Sequence, residues 1–241
     1  MIFLGLLLSA FVFMIKFREK ADLAAVASLQ NAGYLVLPVG QILYPLQFDE
    51  FAIITFLFIL GYNPVLWTLG RYLITASGSK MKLTYHSFLS PPAIASLGSV
   101  LLVLAGLSDY VPRILVASVA LIGEAAVPTA TFVLGATLGA VSFREFPKFW
   151  DNLKVVLIKY VLLPGVVILL LLQFNIAESR PLLADFLVIQ ASAAPAVAMI
   201  LLARTYGGDT QKIAGTMIVT YLICLLAMPF WIAFWHFIQT V

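Results

Sequence analysis

Charged residues divide the chain into eight long apolar runs, at roughly 1–15, 23–46, 51–75, 89–107, 114–140, 155–174, 182–203 and 213–238. Crossing the hydrocarbon core of a bilayer as a helix takes about 20 apolar residues, and most of the runs are free of charge over that length. Glu124 stands well inside the fifth run, whereas Arg71, Lys159 and Asp185 lie nearer run ends. The runs are too long and too closely spaced for buried strands, and they lack the alternation of barrel strands. The pattern predicts an all-α polytopic membrane protein of about eight transmembrane helices.

Composition supports the same class. The 241 residues are 63% hydrophobic and 10% charged, against about 45–50% and about 25% in soluble domains. A soluble fold could not hide that much apolar surface. Cys224 is alone in an apolar run, so neither a disulfide framework nor a metal site is expected, and no cofactor is implied. The aromatic residues, 13% of the chain, are not interleaved with a basic stretch, so nucleic acid is not an expected partner. The first run has no basic lead-in, and its charges (Lys16, Arg18, Lys20) follow it, which predicts a retained span rather than a cleaved signal peptide.

The sparse charges set an orientation. Taking alternate loops, Lys16, Arg18, Lys20, Arg71, Lys80, Lys82, Arg144, Lys148, Lys154, Arg204 and Lys212 fall on one side, and Arg113 and Arg180 on the other. The lysine-rich side is expected to be cytoplasmic, placing both termini outside the cytoplasmic membrane. Lys159 is expected to snorkel to the cytoplasmic interface. A hydrophilic stretch at 76–88 divides the chain into a first half, 1–75, and a second half, 89–241, with 76–88 as a cytoplasmic linker.

Two runs contain polar groups followed by proline. The second reads Gln30-Asn31-Ala32-Gly33-Tyr34-Leu35-Val36-Leu37-Pro38, and the seventh reads Gln190-Ala191-Ser192-Ala193-Ala194-Pro195. Proline removes an N–H and clashes with the preceding turn, so each helix should kink or break there. In lipid a break survives only when buried in protein or lining a wet cavity, and it leaves a half-helix N-terminus that favours an anion. A long span with its own proline and tryptophan follows each (Pro64 and Trp67; Pro229 and Trp231). The second run points outward and the seventh inward. Corresponding breaks in oppositely oriented segments point to an inverted-repeat transporter with a midplane site.

Asn31-Ala-Gly-Tyr-Leu-Val-Leu-Pro38 resembles the Asn-x-Gly-x-x-x-x-Pro crossover of the auxin efflux carrier family, which includes plant PIN exporters and bacterial malate/malonate permease relatives. Leu66-Trp67-Thr68-Leu69-Gly70, the Ala125-Ala-Val-Pro128…Leu134-Gly135-Ala-Thr-Leu138 run, and Ala194-Pro195 followed by Leu202-Ala203-Arg204-Thr205-Tyr206-Gly207-Gly208-Asp209 look like the same family, in its order. The resemblance implies ten helices in two inverted halves of five, with the fourth and ninth broken and crossing. On that alignment the chain carries the family's helices three to ten and lacks the first two, an incomplete 5+5 repeat.

The resemblance assigns substrate contact to Asn31. Gln190 and Ser192 are further candidates for hydrogen-bonding a carboxylate, with helix–helix bonding as the competing role. Gly33, Pro38 and Pro195 are expected to form the crossover, and Gly135-x-x-x-Gly139 to provide close helix packing. Glu124 should face a cavity or partner and is a candidate proton-coupling carboxylate. No His-x-x-x-His, Gly-x-Ser-x-Gly or phosphate-binding loop occurs, and the histidines are His86 and His236, so an enzyme is not expected. The expectation is a secondary transporter of small organic anions, auxin-like or mono- and dicarboxylates, with the bilayer as its surroundings and a homodimer left open. The alternative is a shortened membrane protein that does not transport and serves as a partner or interaction subunit.

Overall fold

A computed structural model describes residues 1–76, 91–139 and 147–240. The linker expected at 76–88 therefore lies, beyond Ala76, outside the described residues, as do Lys80, Lys82 and Arg144. The described residues are helical and contain no strand beyond one isolated bridge. Three helices are long and apolar enough to cross a membrane, Pro45–Ala76, Phe149–Gln173 and Thr210–Thr240. Around them the outer surface is a skin of exposed apolar side chains such as Phe11, Phe56, Leu121, Leu169 and Leu226. So continuous an apolar exterior is a lipid-facing one.

Helix α1 (Ile2–Phe13) packs closely on α2 (Ala21–Ser28). Every residue of α2 is buried, and half of them are alanine, so its neighbours approach its backbone. A side chain at Gly5 would come within 3.0 Å of Ser28, and the Ser9 and Ser28 hydroxyls share a 3.3 Å hydrogen bond. The chain resumes helix at α3 (Val36–Leu43) and α4 (Phe48–Val65), then passes through a wide π turn at Leu66–Gly70 into α5 (Arg71–Ala76). Helices α6 (Pro91–Leu104) and α7 (Arg113–Gly139) come next. Helix α8 (Phe149–Leu157) runs through a second π turn, Ile158–Leu162, into α9 (Leu163–Gln173). Then come α10 (Ile176–Ser179), α11 (Pro181–Ser192), α12 (Ala198–Tyr206) and the long α13 (Thr210–Thr240).

Both π turns sit beside a proline. Pro164 has no N–H for the Tyr160 carbonyl, and the Trp231 indole N–H donates to that oxygen at 2.7 Å instead. Past Pro64, the Thr68 hydroxyl donates to the Pro64 carbonyl at 2.7 Å. Such turns are common near functional sites because they re-aim side chains; here the second one directs Lys159 inward, where it is fully buried.

Helices α1 to α5 and α8 to α13 enclose the core, with Leu23, Ile74, Ile158 and Met199 in one cluster, Phe51, Phe186 and Ile189 in a second, and Leu163, Val188 and Trp235 in a third. Helices α6 and α7 lie at the periphery against α4, α12 and α13. Gly135 and Gly139 on α7 face open space, so the close packing expected of that pair is not made within the described chain.

Contacts gather the basic loops at one end of the bundle. Lys20 pairs with Asp151, Lys212 pairs with Asp22, and the Arg71 guanidinium stacks 4.0 Å over the Tyr206 ring. At the other end Gln47 and Glu50 share a depression with Arg180 and Pro181. Gly207, in the left-handed region at φ +79°, ends α12, as glycine commonly does. The Asp209 carboxylate then accepts the Lys212 backbone N–H at 3.0 Å, capping α13.

Gly40 on α3 provides a test of packing. A Cβ there would fall 2.1 Å from the ring of Phe51, which is fully buried and held against Tyr44 and Phe186. Gly40→Ala gains up to about 1 kcal/mol of helix propensity but should lose about 1–3 kcal/mol to overpacking. A lowered Tm in detergent is the expected net result. Gly61→Ala, which meets nothing within 4 Å, should not show it.

Candidate functional site: the helix crossover

Helices α2 and α11 both stop inside the bundle, for reasons that lie in the chain. Pro38 would clash with the carbonyl of Tyr34 in a continuous helix. Instead α3 starts at Val36, which puts Pro38 in its first turn, where no N–H is needed. On the other side α11 ends at Ser192, Ala193 is extended at φ −67° and ψ 150°, and α12 begins at Ala198, beyond Pro195. Leu29, after α2, is likewise extended at φ −102° and ψ 103°.

The two extended stretches pair. Gln30 and Pro195 form an antiparallel bridge, in which the Asn31 N–H donates to the Ala194 carbonyl at 2.8 Å and the Ala196 N–H to the Leu29 carbonyl at 2.9 Å. Helix α2 starts at the lysine-rich end, and α11 starts at the opposite end, beside Gln47 and Glu50. The interrupted helices therefore cross in opposite directions, with backbone hydrogen bonds at the crossing point.

Each residue of the bridge has its carbonyl capped by a tyrosine from a long helix. Tyr62 of α4 donates to the Gln30 carbonyl at 2.6 Å, and Tyr221 of α13 donates to the Pro195 carbonyl at 2.9 Å. The Asn31 amide reaches the Tyr221 hydroxyl at 3.4 Å. Sequence reasoning missed both tyrosines; each is a single hydroxyl in mid-span, and only the fold reveals what it caps.

A cavity of about 200 Å³ opens beside the bridge, lined by Gln30, Asn31, Gly33, Tyr62, Asn63, Trp67 and the start of α12 at Ala196–Ala198. The lining is uncharged. Helix α12 has no side-chain cap; the Met199 and Ile200 N–H groups bond back to the Ala196 and Val197 carbonyls at 3.1 and 3.2 Å, and the positive end of its dipole at the cavity favours an anion. The Gln30 side chain is fully buried with neither amide atom hydrogen-bonded. Leaving a buried amide unpaired costs about 1–3 kcal/mol, so this group is poised for a partner.

The other candidates are dispersed. Gln190 is also fully buried with an unpaired amide, but it stands on α11 and does not line the cavity. The Ser192 hydroxyl donates back to the Val188 and Ile189 carbonyls at 3.0 and 3.1 Å. Gly33 lines the cavity, whereas Pro38 is exposed on α3. Glu124 is exposed on α7, a helix that packs on α12 and α13. Lys159 does not snorkel: it is fully buried, with its ammonium 3.5 Å from the Ala27 carbonyl. Among the described residues no group of three or more His, Cys, Asp or Glu side chains could hold a metal ion.

A family model described as membrane transport protein matches residues 78–232, more than half of the chain. The chain belongs to that family, the auxin efflux carrier family. An uncharacterized transporter of Methanocaldococcus jannaschii is 25% identical over 232 residues, covering 95% of this chain and 72% of its own length. Protein PIN-LIKES 3 of Arabidopsis thaliana is 27% identical over 125 residues, 51% of this chain and 32% of its own. No solved structure matches the chain. For a member of this family, an uncharged cavity at a helix crossing is the natural candidate for the place where a transported molecule sits.

Proposed function

We propose that the chain is a secondary transporter of small organic anions, which binds its substrate in the crossover cavity and works by alternating access. The observation that carries this reading is the antiparallel crossing of two interrupted helices beside an unpaired amide and an uncapped helix N-terminus. Half-helix N-termini at such crossings serve anionic groups in transporters built from inverted repeats. The matching tyrosine caps on Gln30 and Pro195 favour an inverted repeat of residues 1–75 and 89–241, joined by a cytoplasmic linker at 76–88. The reading includes eight membrane-spanning segments in the cytoplasmic membrane. Three short contacts at one end of the bundle hold residues from four basic loops together, which favours that end as cytoplasmic.

In this reading Asn31 and Gln30 hydrogen-bond the carboxylate, the α12 N-terminus supplies its dipole, and Trp67 and Tyr62 supply apolar contact. Gln190 and Ser192 shape the far side of the crossover. Glu124 acts apart from the binding site, as a carboxylate that couples proton movement.

The test is uptake of labelled mono- and dicarboxylates by proteoliposomes. Asn31→Ala should weaken carboxylate binding about tenfold or more, because a hydrogen bond to a charged group contributes about 1.5–3 kcal/mol. Absence of flux for every carboxylate, with binding indifferent to Asn31→Ala, would sink the carrier reading and leave the partner-subunit alternative.

A further inference from the structure

Crossing the two helices redirects two backbone donors. In a continuous helix the Asn31 N–H would bond the Ala27 carbonyl, and the Ala196 N–H would bond the Ser192 carbonyl. At the crossover both N–H groups go to the opposite strand instead. The carbonyls they leave, Ala27 and Ser192, stand at the C-terminal, negative ends of α2 and α11. One is met by the ammonium of Lys159 at 3.5 Å, and the other by the thiol of Cys224 at 3.7 Å. The negative end of α2 is thus met by a lysine, and that of α11 by a neutral thiol.

Lys159 is fully buried and has no carboxylate partner among the described residues, whose ion pairs are Lys20–Asp151 and Lys212–Asp22. A long contact to one carbonyl leaves a buried ammonium with two further donors poorly matched. Its charge is then free to act on whatever occupies the other face of the crossover, a few residues away along the same backbone. There the cavity has neutral walls, and the positive ends of its dipoles favour an anion. Through the low-dielectric interior, an anion in the cavity and the ammonium at Ala27 stabilise one another.

We propose that Lys159 is the fixed counter-charge of the transport site: it sits where a co-bound cation would otherwise be required, and it matches the site to an organic anion carrying one negative charge. It acts as a positioning residue through the α2 end and does not touch the substrate. This inference rests on the carrier reading and adds to it the charge of the substrate and the residue that balances it.

The experiment compares binding of benzoate, its neutral analogue benzamide and the dianion succinate to the full chain in lipid nanodiscs, with sodium or choline as the sole cation. Wild type should prefer benzoate to both others, equally in sodium and choline. In Lys159→Met and Lys159→Gln the benzoate-over-benzamide preference should fall at least about tenfold, the size expected when a charge loses its buried partner. Lys159→Met should at the same time keep or raise its Tm, since an apolar side chain replaces a poorly paired buried charge. A lysine needed only for folding would lower Tm and leave the preference between the two analogues unchanged. An unchanged preference in both variants, or wild-type benzoate binding that requires sodium, overturns the counter-charge and leaves the carrier reading standing. No binding of any carboxylate by wild type overturns both.

Discussion

Replacing Lys212 with methionine is expected to cost about 3 kcal/mol of stability, toward the lower end of what breaking a buried ion pair costs. Asp22 is fully buried on α2, and the Lys212 ammonium bonds both of its oxygens, at 2.9 and 2.7 Å. Removing the lysine leaves a carboxylate inside the protein with the Leu23 N–H, at 2.8 Å, as its remaining partner, and one hydrogen bond does not offset its desolvation. Lys212 itself remains about a fifth exposed, at 21%, so water relieves some of the penalty. Asp22→Leu with Lys212→Met should recover most of the loss, because the pair as a whole contributes little beyond a well-packed apolar substitute. The pair also anchors the first turn of α2 to the start of α13, so the single variant should loosen the crossover helix from its basic end. Thermal melting of the single and double variants in detergent decides the matter. If the double variant melts no higher than Lys212→Met, the damage is not a stranded charge. Lys20→Met should do less, about 1 kcal/mol or below, because both Lys20 and Asp151 retain exposure, 22% and 16%.

Membrane class and family are legible in the chain because they rest on local, additive signals. Apolar, charge-poor runs of span length mark Pro45–Ala76, Phe149–Gln173 and Thr210–Thr240, and proline sterics act within one turn. Contacts created by the crossing are not legible. The Gln30–Pro195 bridge joins residues far apart in the chain, and no spacing rule pairs them. Lys159 shows the limit most clearly. A lysine near the end of an apolar run reads as one that reaches for the interface, and only the π turn at Ile158–Leu162 turns it inward onto α2. The opposite error attaches to Gly135 and Gly139, whose spacing suggests close packing although they face open space. Gly207-Gly208-Asp209 needs no ligand to explain it: it ends α12, admits Ile74 against Gly208 and caps α13.

Tyr62→Phe and Tyr221→Phe together should open the crossover. Each hydroxyl caps a bridge carbonyl, that of Gln30 or Pro195, and each removal leaves a buried acceptor bare at about 1–3 kcal/mol. Tyr221→Phe also deprives the Asn31 amide of its contact. The two caps hold opposite strands of one bridge, so their effects should be coupled rather than simply additive. Amide exchange reads this directly. The N–H groups of Asn31 and Ala196 are the two that cross the bridge, and their protection should fall in each single variant and furthest in the double. Amides in mid-helix, such as those of α9, should keep theirs until global unfolding. Carboxylate binding should weaken along with the loss of protection at Asn31, because the cavity wall is built on that backbone. Unchanged exchange at Asn31 and Ala196 in the double variant would show that the paired backbone bonds hold the crossing without the tyrosines. Lost exchange protection with full carboxylate binding would place the site elsewhere.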